Sequence, residues 1–354
     1  MNDPSPMKLR TAAQRKTDHI EISLTGEVEF KEITSGLEEY RFIHCAVPEI
    51  DLDEVSLAAR FLDWELRAPL MISSMVGGVK QAERMNRHLA EAAQELGIAM
   101  GLGSLRCALE DPSCLSSFDV RDAAPDIPLF ANLGAVQLNY GYGPDECLRA
   151  VEMVRADALI LHLNPLQEAL QPEGTTRFGG LLKKIEEVCR SLPVPVIAKE
   201  VSFGISGDVA RRLADAGVSA IDVAGAGGTS WGEVEKQRAV CERDFRIADA
   251  FASWGIRTAD AIRMVKQGAP GIPLIASGGI RTGHDVAVAL ALGADIAGIA
   301  LPLLKAAAVS TEAVMREIEV ILGVLRLIMF CTGTPSIEEL KRTPHFMRTH
   351  RRRI

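Results

Sequence analysis

The sequence has no surplus of positive charge, because its 39 lysine and arginine residues face 47 aspartate and glutamate residues, for a formal net charge of −8. Proteins dedicated to nucleic-acid binding normally carry a basic surplus, so we expect no nucleic-acid partner. Hydrophobic residues make up 47% of the 354 residues and charged residues 24%. These proportions are ordinary for a globular protein and exclude intrinsic disorder, collagen-like repeats and a coiled coil.

Paired cysteines and long apolar runs are also missing. The seven cysteines include no C-x-x-C pair and their number is odd, so we expect free thiols in a reducing compartment rather than disulfides or a zinc site. The sequence has no run of about 18 uncharged apolar residues, and its first 20 residues hold no apolar signal-peptide core. These absences predict a cytoplasmic protein with no membrane partner.

From residue 69 onward, short apolar runs alternate with amphipathic segments, a rhythm typical of repeated βα units. The eight predicted strands are Leu70–Met75, Ala99–Ser104, Leu129–Leu133, Ala158–Asn164, Val194–Val201, Ala220–Ala224, Pro273–Ser277 and Ile296–Leu301. The helical patterns between them include Gln81–Leu96, Asp145–Val154, Leu181–Leu192, Asp208–Ala216 and His284–Leu292. Eight such units predict an α/β fold of the (β/α)8 TIM-barrel class.

An open, doubly wound sheet is the alternative fold. It would need a G-x-G-x-x-G fingerprint after the first strand, and the residues at 75–78 do not match one. Residues 1–68 stand outside the rhythm, so we expect them to cap a barrel formed by residues 69–331 and to contact the substrate. The basic stretch 332–354 is then a solvated tail or, alternatively, a specific anion contact.

The active site of such a barrel lies at the C-terminal ends of the strands, where this sequence is polar and rich in glycine. Gly278 and Gly279 follow the seventh strand and precede a helix, a combination that predicts a phosphate-binding nest; a simple tight turn is the alternative. The stretch 225–257 is too long for a plain βα connection, and we expect it to cover the site.

Three polar side chains in apolar strands point to the same place. Lys199 needs an anion or an electron-rich ring as its neighbour, unless it pairs with a carboxylate of the next strand. His162 and Asn164 are two residues apart, so both face one side of the strand; a satisfied core histidine is the alternative. Glu168, on the loop that follows, is suited to hold Mg²⁺ together with substrate phosphates.

Five motifs together resemble the type 2, FMN-dependent isopentenyl-diphosphate delta-isomerase family, over a span from Arg15 to Pro302. The most specific is HLNPLQE at 162–168. The others are RKxDH at 15–19, KEVSFG at 199–204, AGAGGTSW at 224–231 and SGGIRTG at 277–283. One departure is Val76, where the family commonly has threonine, so a hydroxyl contact to the flavin is lost. A second is Leu105, in the motif GSLR, at a position that we take to be variable.

The resemblance implies a role for each matching residue. The expected FMN contacts are Met75, Val76, Gly77, Ser104, Asn132, Lys199, Thr229, Gly278, Gly279, Ile280, Ala300 and Leu301. The expected substrate contacts are Arg15, Lys16, His19, Ser104, Arg106 and Gln167, and the expected catalytic residues are Gln167, His162, Asn164 and Trp231. Glu168 is the expected Mg²⁺ ligand.

The implied reaction is a 1,3-allylic proton shift that interconverts isopentenyl diphosphate and dimethylallyl diphosphate. Reduced FMN would stabilise the positive charge and exchange the proton, Mg²⁺ would hold the diphosphate, and NADPH would serve only to reduce FMN. The resemblance also implies a homo-oligomer, a tetramer or larger.

Three other functions fit parts of the sequence. An FMN-dependent oxidase or dehydrogenase of a 2-hydroxy acid would need a histidine base late in the barrel, where only His284 occurs. An enzyme similar to inosine-monophosphate dehydrogenase would need a loop cysteine nucleophile, for which Cys107 and Cys114 are weak candidates. A flavin-binding scaffold or sensor would bind FMN without turnover.

Overall fold

The computed structural model describes residues 12–349. The arginines 351–353 of the basic stretch and the first residues of the predicted cap lie outside this range. The strands of the described residues are β1 (Tyr40–Phe42), β2 (Ala59–Phe61), β3 (Trp64–Leu66), β4 (Leu70–Ile72), β5 (Ala99–Gly101), β6 (Leu129–Gly134), β7 (Ala158–Leu163), β8 (Val196–Glu200), β9 (Ala220–Asp222), β10 (Leu274–Ser277), β11 (Ile296–Ile299) and β12 (Phe346–Arg348).

Strands β4 to β11 are parallel, follow one another in chain order and close into a barrel where β11 pairs with β4. The predicted TIM barrel and its eight strands are therefore confirmed. Several strands are shorter than predicted; β4, for example, ends at Ile72 rather than Met75. The residues beyond the strand ends form loops at the barrel mouth instead of extending the ladder.

The helices surround the barrel, and the five that the sequence pattern located agree with the structure to within one residue at each end. Those of the described residues are α1 (Ala12–Thr25), α2 (Lys80–Leu96), α3 (Arg106–Glu110), α4 (Pro144–Met153), α5 (Pro165–Leu170), α6 (Leu181–Ser191), α7 (Gly207–Asp215), α8 (Trp231–Gln237), α9 (Glu242–Asp249), α10 (Thr258–Gly268), α11 (Gly283–Ala291), α12 (Leu301–Ala307), α13 (Thr311–Cys331) and α14 (Ile337–Leu340). Within residues 12–349, none of them combines the length and apolarity needed to cross a bilayer.

The barrel interior changes from apolar at the bottom to polar at the mouth. Side chains from the first half of each strand, among them Phe130, Ile160 and Ile197, form a closed apolar cluster. Because side chains alternate along a strand, the next inward residues after Ile160 and Ile197 are His162 and Lys199, which lie side by side in the β7–β8 register. The apolar layer thus supports a polar layer directly above it.

The N-terminal segment covers both ends of the barrel. Its hairpin of β2 and β3 closes the bottom, where Phe61 is 1% exposed and joins the apolar cluster of the strand interiors. Its first helix, α1, lies at the mouth, where Lys16 donates to the Ser104 carbonyl oxygen. Two backbone hydrogen bonds join this segment to the stretch 225–257. The Phe30 amide donates to the Gly228 carbonyl oxygen, and the Ser230 amide donates to the Val28 carbonyl oxygen.

The chain beyond α13 packs back on the N-terminal segment. Strand β12 pairs antiparallel with β1, with Arg348 opposite Tyr40. The Arg348 guanidinium also contacts the Glu39 carboxylate at 2.6 Å. The part of 332–354 that the structure describes is therefore fastened to the cap through Glu39, and the division of the chain at residues 68 and 331 stays a prediction.

Candidate active site

One cavity of about 440 Å³ lies at the C-terminal ends of the barrel strands. Every residue for which the sequence predicted a site role contributes to its lining. These residues are Arg15, Lys16, His19, Met75, Val76, Gly77, Ser104, Arg106, Asn132, His162, Asn164, Gln167, Glu168, Lys199, Thr229, Trp231, Gly278, Gly279, Ile280, Ala300 and Leu301. The structure thus brings the predicted set together, and the role of each member remains a prediction.

The floor of the cavity holds a neutral histidine. His162 Nδ1 lies 2.7 Å from Asn132 Oδ1, and because that oxygen can only accept, Nδ1 donates. Burial, reinforced by the nearby charge of Lys199, lowers the pKa of His162 to about 4. The ring is therefore uncharged near neutral pH, and its Nε2 is an acceptor.

Lys199 pairs with a carboxylate of the next strand, which is the alternative that the sequence left open. Its Nζ lies 3.4 Å from Asp222 Oδ2 on β9 and donates to the Glu200 carbonyl oxygen at 2.8 Å. Asp222 is fully buried, and its Oδ1 accepts from Ser277 Oγ at 2.6 Å. The Lys199 ammonium still lines the cavity, so the ion pair fixes its place without withdrawing it from a ligand.

Glu200 shapes the loop that follows β8. One of its oxygens, Oε2, accepts hydrogen bonds from the backbone amides of residues 201–203. Burial raises the pKa of Glu200 to about 7, although those amides and Lys199 oppose the rise. This carboxylate thus holds the β8 loop at the site and titrates near neutral pH.

The HLNPLQE loop is held by its own amides and carboxylate. Asn164 Nδ2 donates to Gln167 Oε1 at 3.1 Å and to Glu168 Oε1 at 3.0 Å. Glu168 Oε2 accepts from the Thr175 amide and hydroxyl at 2.6 and 2.9 Å. Asn164 Oδ1 is buried and has no hydrogen-bond partner among the described residues, so the site holds one unsatisfied oxygen beside the Glu168 carboxylate.

Sequence reasoning missed the carboxylate that joins this loop to the cap. Glu235 on α8 is 4% exposed, and its Oε1 lies 3.0 Å from His19 Nε2 and 3.3 Å from Gln167 Nε2. Its Oε2 contacts Arg238, which also binds Glu173 at 2.6 Å. A usable signal was present, because Glu235 lies four residues after Trp231 and hence on the same helix face.

Burial alone would raise the pKa of Glu235. The hydrogen bond and charge of His19, together with Arg238, outweigh burial and hold the pKa below its usual value. The His19 ring also meets the Trp231 ring edge-on, with 4.9 Å between centroids. The first helix is therefore attached to the loop of residues 162–168 through an ionised carboxylate, and to Trp231 through an aromatic contact.

Glycines at the ends of β9 and β10 allow two backbones to approach closely. Gly278 and Gly279 have φ values of 101° and 73°, which L-residues with side chains rarely adopt. A Cβ at Gly228 would lie 2.2 Å from the Gly279 nitrogen. The Arg281 and Thr282 amides already donate to Asp285, so a phosphate at this turn would face the preceding amides of the glycine pair.

A family model described as FMN-dependent dehydrogenase matches residues 168–347. Curated relatives named isopentenyl-diphosphate delta-isomerase match nearly the whole chain. The protein of Nostoc sp. is 52% identical over 98% of this chain and 99% of its own length. The protein of Pseudescherichia vulneris is 52% identical over 95% of this chain and 97% of its own.

Solved structures of a mandelate oxidase and a lactate oxidase share the fold at low identity. The lactate oxidase of Pediococcus acidilactici aligns with a TM-score of 0.66 at 16% identity, covering 97% of this chain and 96% of that one. A mandelate oxidase aligns with a TM-score of 0.62 at 18% identity, covering 94% and 90%. The oxidases show only the shared barrel, whereas the curated relatives are similar throughout. The chain belongs to the type 2, FMN-dependent isopentenyl-diphosphate delta-isomerase family.

Proposed function

We propose that this protein interconverts isopentenyl diphosphate and dimethylallyl diphosphate by a 1,3-allylic proton shift. The observation that supports this most strongly is the convergence of all five sequence motifs on one cavity, which has cationic side chains at its rim and amides at its floor. The alkene is a weak base, so protonation at its terminal carbon creates a tertiary cationic centre in the substrate. The second step removes a proton from the carbon nearer the diphosphate, and no net electrons move.

The residues at the mouth suit a flavin phosphate and ring system. The glycine turn at Gly278 and Gly279 offers backbone amides, and Lys199 offers a fixed positive charge. The Ser73 and Ser74 hydroxyl oxygens are buried without a hydrogen-bond partner among the described residues, so the mouth has polar groups that a flavin could satisfy. When bound, reduced FMN would supply an electron-rich face and a proton-exchanging nitrogen.

The chain's own side chains then divide the remaining tasks. His162 is neutral and its Nδ1 donates to Asn132, so its Nε2 can accept a hydrogen bond without adding positive charge under the cationic centre. Gln167, fixed between Asn164 and Glu235, orients the reacting carbons. Trp231, which lines the cavity beside His19, forms the apolar wall for the isoprenoid tail.

The diphosphate is proposed to lie under α1. Arg15 and Lys16 from this helix and Arg106 from α3 line the cavity. Arg106 also pairs with Glu110 at 2.8 Å. Each cation is partly exposed and can turn towards an anion. Arg15 donates to Gln171 Oε1 at 3.4 Å, a contact weak enough to yield to a phosphate oxygen.

Mg²⁺ fits this site only together with the substrate. Among residues 12–349, no group of three or more His, Cys, Asp or Glu side chains could hold a metal ion. Glu168 and the unsatisfied Asn164 Oδ1 supply hard oxygen donors, and Mg²⁺ commonly combines one or two carboxylates with phosphate and water oxygens. We assign Glu168 as the metal ligand on this ground.

The oxidase alternative lacks its base. His284 is the exposed second residue of α11 and packs against Phe42 with 6.1 Å between ring centroids. It is not among the described residues that line the cavity. A 2-hydroxy acid would thus find no late-barrel histidine at the mouth. The relatives' shared name favours the isomerase over a flavin-binding scaffold.

The proposal also includes the reductant of FMN, the cellular compartment and the oligomeric state. NADPH serves only to reduce FMN before the first turnover, because the reaction itself moves no net electrons. The seven free cysteines support a reducing, cytoplasmic setting. Exposed apolar side chains on α13, such as Val320 and Leu327 at 66% and 52% exposure, support an interface between copies. A homo-oligomer of four or more copies is what the family resemblance implies.

Anaerobic turnover of isopentenyl diphosphate with FMN and Mg²⁺ tests the proposal. Flavin reduced by NADPH or dithionite is compared with flavin left oxidised. We expect dimethylallyl diphosphate only with reduced flavin. If FMN is bound and neither state yields product, the isomerase proposal is wrong and the scaffold function replaces it.

A further inference from the structure

A buried carboxylate behind the cavity wall connects three strands that end at the site. Asp222, the last residue of β9, is fully buried and is not among the described residues that line the cavity. Its Oδ1 accepts from Ser277 Oγ at 2.6 Å and from the Ala224 amide at 3.2 Å. Its Oδ2 lies 3.4 Å from Lys199 Nζ. All three partners of Asp222 line the cavity.

We propose that Asp222 is a positioning residue that anchors the Lys199 ammonium, offsets its charge and so sets the reduction potential of bound FMN. Because the proposed function takes Lys199 to be an FMN contact, the role of Asp222 rests on that assignment. A proton shift that moves no net electrons needs a flavin that stays reduced but is still basic enough to exchange a proton. A lysine alone favours the first property, whereas a lysine paired with a carboxylate balances the two.

The two oxygens of Asp222 differ in their partners. Oδ1 accepts from two neutral donors, whereas Oδ2 is buried and has no hydrogen-bond partner among the described residues. A buried carboxylate oxygen without a donor is costly unless a cation compensates for its charge. The Lys199 ammonium donates to the Glu200 carbonyl oxygen at 2.8 Å, so its longer contact with Oδ2 is one of charge. The free charge of Asp222 is therefore directed at this ammonium.

The partners of Oδ1 hold the Asp222 side chain in place. Ala224 has a φ of 36°, which residues other than glycine rarely adopt and which persists only where the surrounding structure imposes it. Its amide is bound to Asp222, and its carbonyl oxygen accepts from the Gly204 amide at 3.2 Å. Ser277 ends β10 directly before Gly278, at the turn proposed to bind the flavin phosphate. Asp222 thus cannot leave Lys199 without disturbing two loops at the mouth.

The other titratable groups around Lys199 do not replace this carboxylate. His162, its neighbour on β7, is neutral near pH 7 because burial lowers its pKa to about 4. Glu200 directs Oε2 to the amides of residues 201–203, and burial raises its pKa to about 7. Of the residues that the structure describes, Asp222 is the one whose carboxylate forms an ion pair with Lys199. Its removal therefore changes the net charge beside the flavin by one.

The sign of the effect follows from the charge that flavin reduction adds. Reduction puts negative charge on the ring, so any increase in nearby positive charge stabilises the reduced form. Asp222→Asn keeps an oxygen that can accept from Ser277 and Ala224, but it leaves the Lys199 charge without its offset. We expect bound FMN to become about 30 mV easier to reduce, which corresponds to about a tenfold rise in affinity for reduced relative to oxidised FMN.

Anaerobic spectroelectrochemistry of the FMN-loaded parent and Asp222→Asn, at one fixed pH, tests this directly. Asp295→Asn is the matched control, because it removes a lysine-paired carboxylate at the opposite end of the barrel. There Asp295 contacts Lys341 at 3.0 Å and accepts from the Leu274 amide at 2.8 Å. This control should keep the parental potential even if it lowers stability. An unchanged or lower potential in Asp222→Asn, or the same rise in Asp295→Asn, would overturn the inference.

A second pair of variants gives a result even if Asp222→Asn does not fold. Lys199→Gln should lower the potential, and adding Asp222→Asn to it should raise the potential again by about 30 mV. The double variant is suited to folding, because neutral side chains can replace both members of a buried ion pair at little cost. Equal potentials in the single Lys199→Gln variant and the double variant would overturn the inference.

Failure of the proposed function gives a different result from failure of this inference. Turnover of isopentenyl diphosphate by the reduced parent protein is measured alongside the potentials. The expected shifts in potential, in a parent protein that shows no isomerase turnover, would count against the proposed function alone. Turnover by the parent together with an unchanged potential in Asp222→Asn would count against the role of Asp222 alone.

Discussion

His19 Nε2 on the first helix lies 3.0 Å from Glu235 Oε1 on α8, and this contact holds the N-terminal segment over the barrel mouth. The same carboxylate oxygen is 3.3 Å from Gln167 Nε2. One buried anion thus links a residue of the cap with a residue proposed to orient the reacting carbons. The same carboxylate therefore holds the first helix over the cavity and positions the side-chain amide of Gln167.

Replacing Glu235 with glutamine tests that link. Glu235→Gln keeps the side-chain shape but leaves Arg238, whose side chain is 3% exposed, with less negative charge around it. We expect the free energy of unfolding to fall by about 2 kcal/mol, because Arg238 keeps its contact with Glu173 but loses one buried charged hydrogen-bond partner. Urea denaturation measures this. The surface change Glu338→Gln should cost under about 1 kcal/mol, and equal losses in the two variants would contradict the account.

Removing the amide of Gln167 should affect turnover more than folding. We expect Gln167→Ala to lower kcat about 100-fold or more, the usual range for a group that acts at the reacting atoms, with FMN retained. Steady-state kinetics under anaerobic conditions and the flavin absorbance measure the two effects. Gln94→Ala, which removes an amide paired with Asp126 on the surface, is the matched control. A fall in kcat of only a few-fold for Gln167→Ala would show that Gln167 does not act at the reacting carbons.

The Mg²⁺ requirement should depend on Glu168. In Glu168→Gln the amide can still accept from Thr175, but it offers a metal no negative charge. We therefore expect the Mg²⁺ concentration for half-maximal activity to rise at least about tenfold. A titration of Mg²⁺ at saturating substrate measures it. An unchanged Mg²⁺ dependence would show that a residue other than Glu168 binds the metal.

Acid should weaken the contact between the cap and the rest of the chain. Hydrogen bonds from Arg257 and then Arg348 lower the pKa of Glu39 from 4.5 to about 2. Because the folded pKa is the lower one, this carboxylate stabilises the fold fully above pH 4.5 and loses that effect as the pH falls towards 2. Because Glu39 and both arginines are partly exposed, solvent screening reduces this contribution to about 1 kcal/mol at neutral pH.

Glu39→Gln provides the measurement. At neutral pH, the free energy of unfolding of this variant should be lower than that of the parent by about the contribution of Glu39 given above. This difference between variant and parent should shrink by more than half at about pH 3. Denaturant unfolding at both pH values determines it. A deficit that stays constant with pH would show that Glu39 contributes through packing rather than through charge.

The barrel and the contents of its mouth could be predicted from the sequence because both follow local patterns. Buried parallel strands are continuous apolar runs, and residues at the strand ends meet at one face whatever the detailed register. Glu235 escaped prediction because a carboxylate in an amphipathic helix resembles a solvated one. The pairing of β1 with β12 escaped because it joins segments about 300 residues apart, which no local pattern records.

The most direct test of the central claim is anaerobic turnover in deuterium oxide with the flavin spectrum followed throughout. The account predicts dimethylallyl diphosphate that carries solvent deuterium in its newly formed methyl group, with the same amount of reduced flavin before and after many turnovers. Product without deuterium, or flavin whose redox state changes in proportion to product, would contradict a proton shift that moves no net electrons.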